Sequence, residues 1–236
     1  MRDRHSLPAA GFDWMECLKG DLRGKRFAYS ADWGYAPVDP EVRQIVSKAV
    51  RVFERDLGCI VEEANPGWSD ASAAFYAIMF AETDLKGMRE LMQKCCLSGH
   101  LVDGLMTPWT AEDFTNANMV RKSVVRKMAQ FMSRYDLLLT PTAAVPAFPI
   151  HMQGPEKIDG RYVRPAQFIA FTFPLNLTGQ PAASVPAGWT EDGLPVGLQI
   201  VGRHLEDCMV LRASANYEAA AAWRNKWPPL LTNLGL

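Results

Sequence analysis

Residues 26–63 narrow the fold more than any other stretch. "KRFAYS" reads as a short buried strand over 26–30. Asp39, Pro40 and Glu41 then make a helix start: a side-chain oxygen for the first free N–H groups, a ring that presets φ, and a carboxylate near the positive end of the dipole. Val42, Ile45, Val46, Ala49, Val50, Phe53 and Leu57 follow at spacings that place them on one helical face. Gly58 stands where a left-handed C-cap belongs. "CIVEE" (59–63) is a second strand. Two strands joined through one helix by short connections make a parallel pair with a right-handed crossover. Parallel strands are covered on both faces, so the rest of the chain has to supply that cover.

It does so in order. Ser69 and Asp70 cap a helical stretch of about 71–94, and Thr110 with Asp113 opens another of about 111–134. "DLLLT" (136–140) reads as a central strand entering the rigid loop "PTAAVPAFP". "PAASVPAG" and "LPVGLQIVG" flank "WTEDG" as a hairpin half-covered by core, with Val196, Leu198 and Ile200 on the inner side. A last helix, about 206–223, is apolar nearly all round and reads as buried, while the first 24 residues read as irregular. No repeat, low-complexity tract or linker interrupts the chain. Residues 1–236 therefore read as one α/β domain, a mixed sheet flanked by helices.

The balance of charge excludes some classes of partner. A net charge of −1 gives no reason to expect nucleic acid or an anionic membrane. No apolar run approaches the roughly 18 residues of a spanning helix. "MRDRHSLPAAGFDW" has charges but no apolar run behind them, so no secretion signal is read there. Five cysteines, an odd number with two adjacent, argue against a disulfide framework and for a reducing cytoplasm.

Candidate chemistry is sparse. "KCCLSGH" brings Cys95, Cys96 and His100 together, but adjacent helical cysteines point about 100° apart and no second cluster completes a metal site. Buried helix cysteines are the simpler reading, and nothing specifies a Cys–His pair with His100 or His151. Ser184, in "AASVP", lacks both glycines of a nucleophile elbow and reads as a strand serine bonded to backbone. His204 reads as a helix-start residue, and Glu62 and Glu63 as solvated strand-end carboxylates. Walker A and G-x-G-x-x-G are both absent, so no nucleotide cofactor is expected. From spacing alone, no metal, no cofactor and no complete catalytic constellation are read.

Four segments carry a resemblance. "LRGKRFAYSADWGYAPVDPEVRQIVSKAVRVFERDLGCIVEE", "YDLLLTPTAAVPAFP", "FTFPLNLTGQPAASVPAG" and "GLPVGLQIVGRHLED" resemble, in sequence and order, the C-terminal half of amidase signature enzymes. That family hydrolyses carboxylic amides and includes the catalytic subunit of the tRNA-dependent amidotransferase. The resemblance implies the C-terminal part of the family's α/β fold and a small-molecule amide as ligand. In the family a glycine- and serine-rich segment supplies the nucleophilic serine, a second serine in a cis peptide relays its proton, and an upstream lysine is the base. Backbone N–H groups of that segment form the oxyanion hole. No stretch of this chain resembles that segment, so the resemblance assigns no catalytic residue here. By motif position, Thr172 and Leu175 face the ligand, and Asn176 is a buried structural amide. Ile169 matches the place where the amidotransferase branch carries an acidic residue that grips the substrate's amino group, which favours an apolar or aromatic amide over glutamine. The expectations are then a portion of an amidase inactive alone, a subunit completed by a front-half chain, or a binding and assembly module that reuses the fold. Self-association is expected of a sheet that lacks its front strands.

Overall fold

The computed structural model describes residues 11, 13–94, 99–221 and 223. A four-residue helix, α1 (Trp14–Cys17), starts on the Asp13 side chain, which accepts from the Met15 N–H. The strand–helix–strand unit follows as expected: β1 (Arg26–Tyr29), α2 (Pro40–Arg55) and β2 (Ile60–Glu63). Asp39 caps α2 by accepting from the N–H groups of Glu41 and Val42, and the face from Val42 to Phe53 is buried. Four helices come next: α3 (Ser72–Ala81), α4 (Leu85–Met92), α5 (Gly99–Met106) and α6 (Ala111–Met132). Then come β3 (Leu137–Pro141), the small hairpin of β4 (Lys157–Ile158) and β5 (Arg161–Tyr162), and a 3-10 turn at Pro165–Ile169. The short helix α7 (Phe173–Thr178), β6 (Ala182–Trp189), β7 (Pro195–Gly202) and α8 (Asp207–Ala220) complete the described order.

The sheet is mixed, with strand order β2-β1-β3-β7-β6. β1 runs parallel to both β2 and β3, while β7 runs antiparallel to β3 and β6. α2 lies across β3, β7 and β6, and α8 packs on β6, β7 and α2. Phe53 of α2 stacks on Tyr217 of α8 at 5.2 Å. α3, α6 and α7 pack on one another, and α6 reaches the main core through Val124, Met128 and Phe131. Phe27, Leu137, Leu138, Leu139, Leu198 and Ile200 form the centre of the core.

Several expectations are corrected. The stretch 71–94 is two helices, because Asp84 accepts from the Gly87 N–H and starts α4 afresh. α5 was not foreseen at all. The hairpin is not half-covered: β7 is an inner strand, so Gln199 and Val201 are buried along with Leu198. The Gln199 carboxamide is satisfied there by the Thr140 hydroxyl at 2.9 Å and the Phe171 carbonyl at 3.2 Å. α8 buries one face, through Val210, Ala213 and Tyr217, rather than its whole circumference. Cys17 and Cys208 form a disulfide across 191 residues of sequence, against the expectation from the odd count. Their segments are brought together because α1 lies on α8, where Arg212 and Asn216 donate to the carbonyls of Cys17 and Gly20. No described helix is long and apolar enough to cross a membrane.

Candidate functional site

A row of aromatic rings defines the site. Tyr76 and Phe80 stand four apart on α3 and share a face. Phe173, at the start of α7, packs on Phe75 at 4.9 Å and on Tyr76 at 5.7 Å. Trp109, between α5 and α6, stacks on Phe80 at 5.7 Å, and its indole N–H donates to the Gly104 carbonyl at 2.8 Å. Gly104 itself has to be glycine at this point, since a Cβ there would overlap the Phe80 ring. Tyr76, Phe80, Gly104, Trp109 and Phe173 wall a cavity of about 380 Å³. Ala166 and Gln167, from the 3-10 turn, close its side, with Asp103 and Arg164 also among the lining residues.

The polar groups around this slot are mostly tied up. Asp70 accepts from the Ser72 N–H at 2.9 Å with one carboxylate oxygen and from Arg164 at 2.6 Å with the other. Arg164 also donates to the Ser72 hydroxyl at 2.6 Å. One acidic side chain thus bonds the Ser72 N–H and holds the arginine that follows β5, while the N-cap position of α3 is Ala71, without a side-chain cap, rather than the expected Ser69 or Asp70. Burial raises the Tyr76 phenol above its usual range, with Arg164 opposing and Asp70 adding to the shift. Apart from Asp103 and Thr107, what remains open is mostly apolar and suits an uncharged ring or acyl chain.

The segment singled out from sequence borders this slot, but through other side chains. Gln167 and Phe173 line it, whereas Ile169, Thr172 and Leu175 are not among its lining residues. Leu175 is buried in the main core, and Thr172 is half-buried with its hydroxyl donating to the Ile169 carbonyl at 3.0 Å. Asn176 is exposed, not buried, because the chain turns helical here and presents it outward. The Pro-rich loop after β3 does reach the segment: the Ala144 N–H donates to the Phe168 carbonyl at 2.8 Å, and the Phe148 and Phe168 rings meet edge to face at 5.0 Å.

Other candidates resolve into structural roles. The Ser184 hydroxyl pairs with that of Thr142 at 2.7 Å rather than with backbone. Glu62 is not simply solvated: it accepts from Arg26 at 2.7 Å and from the Tyr135 hydroxyl at 3.1 Å, and Arg26 holds its carboxyl below the usual range. His204 precedes α8 and bonds the Gly179 carbonyl at 3.0 Å. Cys95, Cys96 and the side chain of His100 lie outside the described residues. Among the described residues, no group of three or more His, Cys, Asp or Glu side chains could hold a metal ion. Sequence reasoning missed Tyr76, Phe80, Trp109 and Gln167; the four-residue spacing in "YAIMF" was the available signal for the first two.

Comparison with known proteins gives a consistent answer. The sequence profile of the Amidase family matches residues 1–211. An acylamidase of Rhodococcus erythropolis is 35% identical over 235 residues, covering 96% of this chain and 48% of the relative. A glutamyl-tRNA(Gln) amidotransferase subunit of Thermodesulfovibrio yellowstonii is 29% identical over 259 residues, covering 97% of this chain and 51% of the relative. The chain spans about half the length of the curated relatives it matches. Among solved structures, a bacterial aryl acylamidase superposes with a TM-score of 0.79 at 29% identity, over 90% of this chain and 47% of the other. A 6-aminohexanoate cyclic dimer hydrolase superposes at 0.75 with 24% identity, over 95% of this chain and 51% of the other, a likeness of fold.

Proposed function

The chain belongs to the amidase signature family, and on that premise we propose that it carries the substrate-holding wall of an enzyme that hydrolyses carboxylic amides with an aromatic or apolar part. The observation that carries this reading is the aromatic slot of about 380 Å³ between α3, α5 and α7. The likeness to an acylamidase and to an aryl acylamidase structure supports it. In this reading Ile169, Thr172 and Leu175 border the acyl side of the site, and Ile169 leaves no carboxylate to grip a substrate amine.

Amide cleavage needs an activated nucleophile and an oxyanion hole held in register. In the family both come from the glycine- and serine-rich segment, with two serines and a lysine passing the proton. None of the ten serines of this chain sits in a comparable glycine-flanked turn, and Lys48 and Lys122 are exposed on α2 and α6. The chain alone therefore binds amides without turning them over. The test is an assay with aryl and alkyl amides, run first alone and then with a polypeptide bearing the serine-rich segment. Activity that appears only on mixing is the expected result. Turnover by the chain alone, mapped to one of its serines by a phosphonate, would overturn the reading.

A second reading, membership of an amidotransferase assembly, is favoured by the likeness to glutamyl-tRNA(Gln) amidotransferase subunits. Glutamine hydrolysis that outpaces anilide hydrolysis in the mixed assay would select it. A binding or assembly module without chemistry is the outcome if mixing restores nothing. In a reducing cytoplasm the Cys17–Cys208 pair would stand as thiols, and thiol counting on protein quenched directly in lysed cells tests that setting.

A further inference from the structure

Gln167 lines the slot beside Tyr76, Phe173 and Ala166, and its side chain ends in a carboxamide, with two donors and an acceptor. The residue is only 8% exposed. Its backbone is fully used in the 3-10 turn: the N–H donates to the Arg164 carbonyl at 2.9 Å, and the carbonyl accepts from the Ala170 N–H at 3.1 Å. Its side chain finds no protein partner among the described residues. Gln199, the other buried glutamine of the core, shows the contrast, with its amide bonded twice. Its amide atoms are not among the fully buried atoms without a partner, so they reach open space, where water or a ligand can satisfy them.

The surroundings leave the cavities as the open directions. Arg164 is committed to Asp70 and Ser72. Trp109 spends its N–H on Gly104. Gln167 stands between the aromatic slot and a smaller cleft of about 250 Å³ that includes Arg161 and Tyr162. A group entering the slot meets the rings and, beside Arg164, Gln167 as a neutral, two-way hydrogen-bonding partner.

We infer that Gln167 is a specificity-determining residue that selects amides whose aromatic part bears a neutral hydrogen-bonding substituent, such as a phenolic hydroxyl or a carboxamide. This rests on the slot being the substrate site of the preceding section, but it concerns binding and is separable from turnover. The rings take the flat part of the ligand by stacking, whatever its substituents. The carboxamide then distinguishes ligands, because a plain ring would strand it unpaired, whereas a hydroxyl can both donate to its oxygen and accept from its nitrogen. A site built to bond a polar group rejects the analogue that lacks it.

Calorimetric titration of the full chain with 4-hydroxyacetanilide and with acetanilide tests this, since the two probes differ by one hydroxyl. The expected result is about tenfold tighter binding of the hydroxylated probe, the worth of one hydrogen bond in a desolvated site. Gln167→Met, of similar length and without the amide, should bring both probes to the same affinity. If that variant melts early, Gln167→Asn, which draws the amide back by one methylene, should lose the same preference. Equal affinities in the unaltered chain, a preference that survives both substitutions, or no binding of either probe overturns the inference. A retained hydroxyl preference in a chain that never supports hydrolysis on mixing would leave Gln167 its role and remove the amidase reading instead.

Discussion

At the scale of single residues, Gly104 and Tyr217 hold positions where one atom decides the outcome. The missing Cβ of Gly104 lets α5 close on the Phe80 ring. Gly104→Ala has to push that ring into the slot or move α5 away. Overpacking of this kind costs about 1–3 kcal/mol. We expect a lower melting temperature together with weaker acetanilide binding; a variant that binds the probe as before would show that the ring does not wall the ligand. Tyr217 sits under β6 and donates its hydroxyl to the Pro186 carbonyl at 3.2 Å, and burial pushes its phenol up to about 12. Its folded form holds the phenolic proton more tightly than the unfolded chain does. That contribution is complete below pH 10 and is lost as pH climbs towards 12, on the order of 2–3 kcal/mol for a shift of this size. Urea midpoints should fall across that window in the unaltered protein and fall less in Tyr217→Phe. A midpoint that stays level to about pH 11.5 would mean that the phenol ionises freely.

Elements differ in how locally they are specified, and this governs what could be read in advance. α2 was legible because its cap, its apolar face and its terminating glycine all lie within about twenty residues. The cap is correspondingly exposed to a simple test: Asp39→Ala removes an acceptor for two N–H groups and should cost about 1 kcal/mol in chemical unfolding, whereas an unchanged midpoint would mean that water replaces the carboxylate without loss. β7 was misread on one side because Gln199 and Val201 look like outward residues until β3 and β6 are known to flank them. The break in the 71–94 stretch turned on Asp84 acting as a cap, a role that a lone aspartate within a helical pattern does not announce. Least legible was the aromatic slot. Its rings, Tyr76, Phe80, Trp109 and Phe173, are spread over about a hundred residues of sequence, and each looks like ordinary core there. Gln167 gave no signal either, since only its burial without a partner sets it apart from any other glutamine.

Across the whole molecule, the two sheet edges are unequally protected. β2 carries Glu62 and Glu63, charges that discourage a further strand. β6 has no charge from Ala182 to Trp189, and only its second half is blunted, by Pro186 and the register shift next to Gly188. Residues 182–185 therefore offer the more open edge. We expect concentration-dependent self-association in sedimentation, reduced by Ala182→Lys; a monomer at every concentration would show that the edge is already closed. The bond between Cys17 and Cys208 acts at the same scale. It makes a closed ring of the segment that holds every strand of the sheet. Tension applied from outside that segment passes from α1 to α8 through sulfur and bypasses the β-strands altogether. Pulled under oxidising conditions, the molecule should lengthen only by chain outside the ring. After reduction the same force should peel the sheet apart strand by strand, so redox state, rather than packing, sets how far this protein can be stretched.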